Sequence, residues 1–205
     1  MRRGLLTYFM LLCCFSAALG QSREESAKKF TFGVEQSYAA TLYSYEYHYF
    51  KNHEGAREII DKGSFIYDSD SEFNLHCGYN FNSNWNLSLY TGYTGIGKFH
   101  KAVPISLRAT RYFGDNPLKD RWFTFLDAGT GISIKSTPDA IIAGKVGAGY
   151  RLSLSKSAKL DFLCALRFVR THPDISDYDQ AAIPENVFLN EGIIGSLAFG
   201  IGLTF

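Results

Sequence analysis

The sequence predicts an all-β protein: an eight-stranded antiparallel up-and-down transmembrane β-barrel with a filled lumen. Three observations carry that prediction. The first is composition: 16% of the 205 residues are Phe, Trp or Tyr and 19 are Gly, yet mean hydropathy is only −0.10. The second is period-2 alternation in eight successive segments, each with a large apolar face and a face of small residues and isolated charges. The third is an export signal ahead of the first segment.

Composition also excludes alternatives. Lys and Arg number 21 against 20 Asp and Glu, for a net charge of +1. That balance lacks the basic excess of a nucleic-acid binder and the acidity of a solvated tail. A membrane helix needs about 20 apolar residues in a row, and none is present beyond the N-terminus. A barrel hides its lipid face in alternation, which leaves average hydropathy near zero.

The N-terminus sets the compartment. Arg2 and Arg3 precede an apolar stretch from Leu5 to Leu19, which ends Ala17-Ala18-Leu19-Gly20-Gln21. A basic start, a short apolar run and small residues at the cleavage point make a secretory signal peptide, cleaved after Gly20 with Ala18 at −3. Cys13 and Cys14 lack the small preceding residue of a lipoprotein signal. Cleavage removes Arg2 and Arg3 and no acid, which turns +1 into −1. Cys77 and Cys164 remain, too few for a disulfide framework.

The first strand sets Phe30, Phe32, Val34, Tyr38, Ala40 and Leu42 opposite Thr31, Gly33, Glu35, Ser37 and Thr41. It continues into Tyr43, Tyr45, Tyr47 and Tyr49, past the ~9–11 residues that cross a bilayer. Ser64 to Ser71 is extended as well, so the first hairpin is expected to project beyond the membrane. Its Tyr ladder either anchors an extracellular protein or glycan, or simply packs the hairpin. The second strand sets Phe73, Leu75, Cys77, Tyr79 and Phe81 opposite Asn74, His76, Gly78 and Asn80. The third sets Trp85, Leu87, Leu89 and Tyr93 opposite Asn86, Ser88, Tyr90, Gly92 and Thr94. The fourth sets Val103, Ile105, Leu107, Ala109 and Phe113 opposite Ser106, Arg108, Thr110 and Tyr112.

The fifth strand, near 121–135, opposes Trp122, Leu126, Ala128, Ile132 and Ile134 to Phe123, Phe125, Asp127, Gly129, Gly131 and Ser133. The sixth, near 140–154, opposes Ile142, Val146, Ala148, Tyr150, Leu152 and Leu154 to Lys145, Gly147, Gly149, Arg151 and Ser153. The seventh opposes Leu160, Phe162, Cys164, Leu166 and Phe168 to Lys159, Asp161, Leu163, Ala165, Arg167 and Val169. The eighth, over Glu191 to Phe205, opposes Ile193, Leu197, Phe199, Ile201, Leu203 and Phe205 to a face of mostly Gly, Ala, Ser and Thr. Three connections are compact and turn-rich: Asn82 to Asn84, Gly114 to Asp120, and Ser155 to Ala158. They alternate with segments near 50–63, 97–102, 135–139 and 171–190, the first and last of them longer. Short turns at one end and longer loops at the other suit a membrane barrel. No internal repeat or linker is visible.

A soluble sandwich would also alternate, but its second face would carry water-loving residues. Here that face is crowded with Gly, Ala and Ser, which suits the interior of a narrow closed barrel. Phe30, Tyr79, Phe81, Trp85, Phe113, Trp122, Tyr150 and Phe205 cluster at the turn ends of their strands. Such aromatics gather where membrane meets water. The competing reading makes them core aromatics of a sandwich.

On these residues the chain resembles small bacterial outer-membrane β-barrels of the OmpA/OmpX architecture, in the Gly- and Tyr-rich style of Bacteroidetes barrels. The likeness spans residues 29–205, behind the signal peptide of residues 1–20 and a periplasmic tail at 21–28. It implies a Gram-negative cell outer membrane, contact with outer-membrane lipids, and insertion by the barrel-assembly machinery. The final strand, with Phe199, Ile201, Leu203 and Phe205, is similar to the signal that machinery recognises. The resemblance implies no one activity, since the fold hosts several.

The inward face carries Glu35, His76, Arg108, Asp127, Lys145, Arg151, Asp161 and Arg167. Charges confined in a narrow interior need partners. Setting Phe113 opposite Trp122 places Arg108 opposite Asp127. Setting Leu154 opposite Ala158 places Arg151 opposite Asp161, and Lys145 opposite the like-charged Arg167. That pair is expected to take an acid from across the barrel, Glu35 or Asp127. The expectation is an ion-pair network that plugs the lumen; the functional alternative is an ion path or a catalytic site.

Outer-membrane lipid A hydrolases need a His-x-Ser spacing for nucleophile and base. His48, His53, His76, His100 and His172 all lack it. No metal-ligand spacing, phosphate loop or cofactor fingerprint appears. His48 and His53 read as solvated loop residues, and Asp174, Asp177, Asp179 and Glu185 as an acidic loop. The expected function is therefore a structural or surface-interaction barrel without catalysis. A lipid A-modifying enzyme and a narrow, porin-like pore are the alternatives.

Overall fold

The structure is a computed structural model that describes residues 28–97, 100–114, 116–134, 139–173 and 186–205. The expected export signal, the tail as far as residue 27, and Asp174, Asp177, Asp179 and Glu185 lie outside the described residues. Eight strands form: β1 (Phe30–Lys51), β2 (Arg57–Asn80), β3 (Trp85–Ile96), β4 (His100–Tyr112), β5 (Arg121–Ile134), β6 (Ala140–Ser153), β7 (Lys159–Thr171) and β8 (Val187–Thr204). Each pairs antiparallel with the next, and β8 returns to β1, so the sheet closes into a barrel. Closure satisfies backbone groups that lipid cannot, which is why sheets cross membranes only as barrels.

The alternation sorts side chains as period 2 requires. Phe32, Ile105, Leu126, Val146, Leu166, Phe199 and Ile201 are half-exposed or more on the outer wall. Exposed apolar surface of this extent costs about 25 cal/mol per Å² in water, so the wall is built to meet lipid. At the turn end an aromatic belt surrounds it. Trp122 and Tyr150 sit with ring centroids 4.9 Å apart, Phe30 and Tyr79 at 5.3 Å, and Tyr79 and Phe81 at 5.4 Å. The Arg111 guanidinium lies 5.6 Å from the Phe113 ring and 5.8 Å from Trp85. Amphipathic side chains of this kind settle at the membrane–water boundary.

The compact turns sit together at that end. Asn82 Oδ1 accepts the amides of Asn84 (2.8 Å) and Trp85 (2.9 Å), and Ser155 Oγ accepts those of Ser157 and Ala158. Phe113 N–H donates to Trp122 O and Leu154 N–H to Ala158 O. These bonds set the registers in which Arg108 faces Asp127 and Arg151 faces Asp161.

The inner face is small because large rings lie across it. A Cβ on Gly149 would stand 2.3 Å from Phe123 Cζ, and one on Gly147 would stand 2.7 Å from Phe125 Cζ. The rings of β5 thus lie over the bare backbone of β6 and join Ala39, Tyr112, Leu163, Ala165 and Ala198 in one apolar cluster. A second cluster, Ile96, Ala102, Ile141, Val169 and Ile194, is buried on the inner face toward the opposite end.

Three sequence expectations are corrected. The connection near 50–63 shrinks to a turn over Asn52–Ala56, in which Asn52 N–H donates to Ala56 O (2.8 Å) and Gly55 takes φ +88°. β1 and β2 pair through to Lys51↔Arg57; backbone pairing persists there although apolar alternation fades into Tyr, His and charge. His48 is accordingly not a solvated loop residue but fully buried, with Nε2 3.7 Å from Glu46 Oε2, whereas the His53 side chain is 59% exposed. The connections near 97–102 and 171–190 also shorten, since β4 begins at His100 and β8 at Val187.

Strand lengths give the barrel its shape. β1 and β2 have 22 and 24 residues, whereas β3 to β7 have 12 to 14. The last β2–β3 pair is Glu72↔Thr94, while β8 follows β1 to Phe50↔Val187. Among the described residues, 57–71 of β2 pair with β1 alone, and β2, β1 and β8 rise beyond the rim as a projecting sheet. At ~3.4 Å per residue this reach is about 50 Å along the strand.

Candidate functional site

Two regions concentrate chemistry: the charged interior and the outer face of the projecting sheet. All eight interior residues singled out from the sequence point inward, in tiers. In the middle tier Arg108 is buried and donates to both oxygens of Glu35 (2.5 and 3.1 Å) and through Nε to Asp127 Oδ2 (3.0 Å). Its guanidinium carbon also lies 3.9 Å from the Tyr90 ring centroid and 4.5 Å from that of Phe125. Planar charge paired at its edge and stacked on its faces is the geometry that suits arginine. His76 stacks on Tyr90 at 4.8 Å, and its ring occupies the space left by Gly33, where a Cβ would stand 2.7 Å from His76 Cε1.

Toward the turn end, Arg151 grips Asp161 through two bonds of 2.6 Å, and Thr204 Oγ1 donates to the same carboxylate at 3.2 Å. Toward the projecting sheet, Lys145 and Arg167 face each other across β6–β7. Here the expected acid is corrected: neither Glu35 nor Asp127 serves the pair, because Arg108 holds both. Glu72 does, bonded to Lys145 Nζ and 3.8 Å from Arg167 Nε. Asn74 Nδ2 donates to Glu72 Oε1 at 2.5 Å. Arg167 Nη2 also donates to Thr94 Oγ1 (2.9 Å) and Gly95 O (2.8 Å), while its buried Nη1 has no hydrogen-bond partner. Between the tiers a void of only about 20 Å³ remains, room for one or two waters at ~10–15 Å³ each.

Sequence reasoning missed Glu72, Arg121 and the role of Lys159. Glu72 precedes Asn74 and His76 by the same period of two; starting the strand at Phe73 hid it. Arg121 precedes Trp122 and so falls on the inner face, where it is 8% exposed. Lys159 shares the inner face of Asp161.

The second region is outward. Register shifts in both ladders of β1 between Thr41 and Tyr43. Before the shift, odd residues such as Glu35, Ser37 and Thr41 are buried; after it, Ser44, His48 and Phe50 are. A bulge of this kind re-aims the side chains that follow it. Tyr43, Tyr45, Tyr47 and Tyr49 consequently lie on the outer face, where unbroken alternation would have turned them inward. Phe65 is 89% exposed and Tyr67 77%. Tyr43 meets Phe65 edge-on at 5.5 Å and Tyr49 packs on Phe188 at 5.0 Å. The Tyr45 phenol bonds to Asp61, whose carboxylate pushes its pKa above the ordinary value. Of the proposed assembly-signal residues, Phe199 and Ile201 face outward on β8, and Phe205 closes the barrel through its amide to Phe32 O (2.8 Å).

No protein-family model matches this chain, and no curated protein does. Among solved structures it is similar to the outer membrane protein OprG of Pseudomonas aeruginosa, at 15% identity over 88% of this chain and 98% of that one, with TM-score 0.50. It is also similar to Neisserial surface protein A, at 14% identity over 88% and 100%, TM-score 0.48. A third is the N-terminal β-barrel domain of OprF from Pseudomonas aeruginosa, at 13% over 83% and 97%, TM-score 0.43. The likeness to OprG is one of fold: the chain has the architecture of the small outer-membrane β-barrels.

Proposed function

We propose that the protein is an integral outer-membrane β-barrel that acts as a surface-interaction protein without catalysis. Its wall sits in lipid, its lumen is plugged by the ionic tiers, and its projecting sheet faces the outside. The observation that carries this reading is the sheet of β2, β1 and β8, which rises past the rim with Tyr43, Tyr45, Tyr47, Tyr49, Phe65 and Tyr67 on one face. Rigid aromatics presented beyond the membrane are effective anchors for a protein or glycan partner. The filled lumen supports scaffold over conduit, since an eight-stranded interior is just wide enough for side chains to occupy.

Orientation is tested by labelling. Native Cys77 and Cys164 lie on the outer wall and are replaced by Ser. Glu54→Cys at the hairpin tip then reacts with a membrane-impermeant maleimide in intact cells. Ser157→Cys in the β6–β7 turn reacts only after the outer membrane is permeabilised. The opposite pattern overturns the assignment. Binding is tested by display on cells over glycan and protein arrays: Phe65→Ser with Tyr67→Ser removes any ligand captured by the parent. Undiminished capture contradicts the aromatic anchor.

A further inference from the structure

The turn end of the lumen carries cations that the ionic tiers do not match. Arg108, Lys145, Arg151 and Arg167 are answered by Glu35, Glu72, Asp127 and Asp161. Arg121 and Lys159 stand outside that balance. Arg121 lies directly across the β5–β6 ladder from Arg151, and both guanidiniums stack on one ring, 4.0 and 4.5 Å from the centroid of Tyr112. Like charges that face each other across a strand pair repel, and buried cations without anions are costly.

Their bonds go to neutral oxygens. Arg121 Nη1 donates to Ser83 O at 2.5 Å, and its buried Nε has no hydrogen-bond partner. Lys159 Nζ donates to Ser153 Oγ and to Ser155 O (2.9 Å). Arg121 is 8% exposed and Lys159 9%. The nearby acids make their hydrogen bonds elsewhere, and Asp120 and Asp161 reach Lys159 only through space. Asp161 is closed by Arg151, and Asp120 at the rim accepts the Ser153 amide at 2.8 Å.

Arg121, Arg151 and Lys159 line one cavity of about 50 Å³ that opens at the turn end, with Lys28 and Lys156 also on its lining. At ~10–15 Å³ for each water-sized atom, it holds about three to five such atoms. A phosphate group has a phosphorus and four oxygens.

We propose that this turn-end mouth is a binding site for a phosphate-class anion, either free orthophosphate or the phosphodiester of a lipid headgroup. A tetrahedral oxyanion offers acceptors in several directions at once. It can take the guanidinium of Arg121 and the ammonium of Lys159, both on the cavity lining, and its charge answers the two cations that no carboxylate bonds. The mouth is level with the aromatic belt, at the depth where headgroups lie.

The test uses the full chain folded in dodecyl maltoside, titrated with inorganic phosphate by calorimetry and phosphorus NMR. Saturable binding at one site is expected. Arg121→Gln is expected to weaken it by about tenfold, as loss of one charge-assisted bond implies, and Lys159→Gln severalfold. Arg170→Gln, on the outer surface at the far end of β7, leaves it unchanged. Folding of each variant is checked by heat-modifiable gel mobility; if Arg121→Gln fails to fold, Lys159→Gln decides. Phosphatidylglycerol is then added as competitor. Displacement of phosphate identifies a lipid headgroup as the source, and phosphate binding that the lipid leaves intact identifies the free ion. Absence of saturable binding by both probes, or affinity unchanged in the folded variants, overturns the proposal. Neither result bears on the labelling pattern of the hairpin tip, so the two readings fail separately.

Discussion

Replacing Glu72 by Gln removes one charge from the tier that holds Lys145 and Arg167 and leaves the shape in place. Glu72 is 3% exposed, and the side chains of Lys145 and Arg167 are 10% and 2% exposed, so neither cation can turn fully to water. Breaking a buried ion pair from one side costs about 3–5 kcal/mol, because the partner charge stays buried. The low end applies here. Arg167 keeps Thr94 Oγ1 and Gly95 O, and Lys145 can swing toward Asp127, which faces it across β5–β6. The expected loss is thus about 3 kcal/mol, roughly a hundredfold in the folding equilibrium. It is read from the urea midpoint of the barrel folded in lipid vesicles, followed by gel mobility and Trp fluorescence. Adding Lys145→Met should recover much of the loss, since an apolar chain in that place needs no counter-charge. A change within about 0.5 kcal/mol, the size of an ordinary surface substitution, would refute the reasoning that Glu72 holds the tier.

Other outcomes follow from the same geometry. Gly149→Ala drives a Cβ to 2.3 Å from both Phe123 Cζ and Phe162 O, so about 1–3 kcal/mol of overpacking cost is expected, measured by the same urea midpoint. Gly33→Ala pushes on the His76 ring and the Leu203 carbonyl, with a loss of similar size expected in the same assay. Asp61→Asn removes the carboxylate that bonds to Tyr45. The Tyr45 phenol then titrates lower, toward its ordinary range, as checked by NMR of the labelled ring under alkaline titration.

The fold was legible because lipid and a narrow lumen make opposite demands on alternate residues. Leu126 and Asp127, or Leu166 and Arg167, differ in the direction the sheet requires. Register was legible only where a turn is tight enough to fix facing residues, as at Phe113–Trp122 and Leu154–Ala158. No turn links β2 to β6, so Glu72 as the answer to Lys145 is a product of closure around the barrel, which one-dimensional spacing does not encode. The upper hairpin was harder for another reason. Beyond the rim both faces of β1 carry polar or aromatic residues, so the alternation signal is lost while the strand goes on. The bulge between Thr41 and Tyr43 reverses the inward parity without a Gly or Pro to mark it. His48 could not be recognised as a buried residue until that reversal was known.

The central claim is a closed barrel whose own side chains plug it. Single-channel recording of the purified protein in planar bilayers tests it most directly. The ionic tiers predict a silent membrane, without a steady open level. A stable, long-lived conductance in the unmodified protein would contradict it.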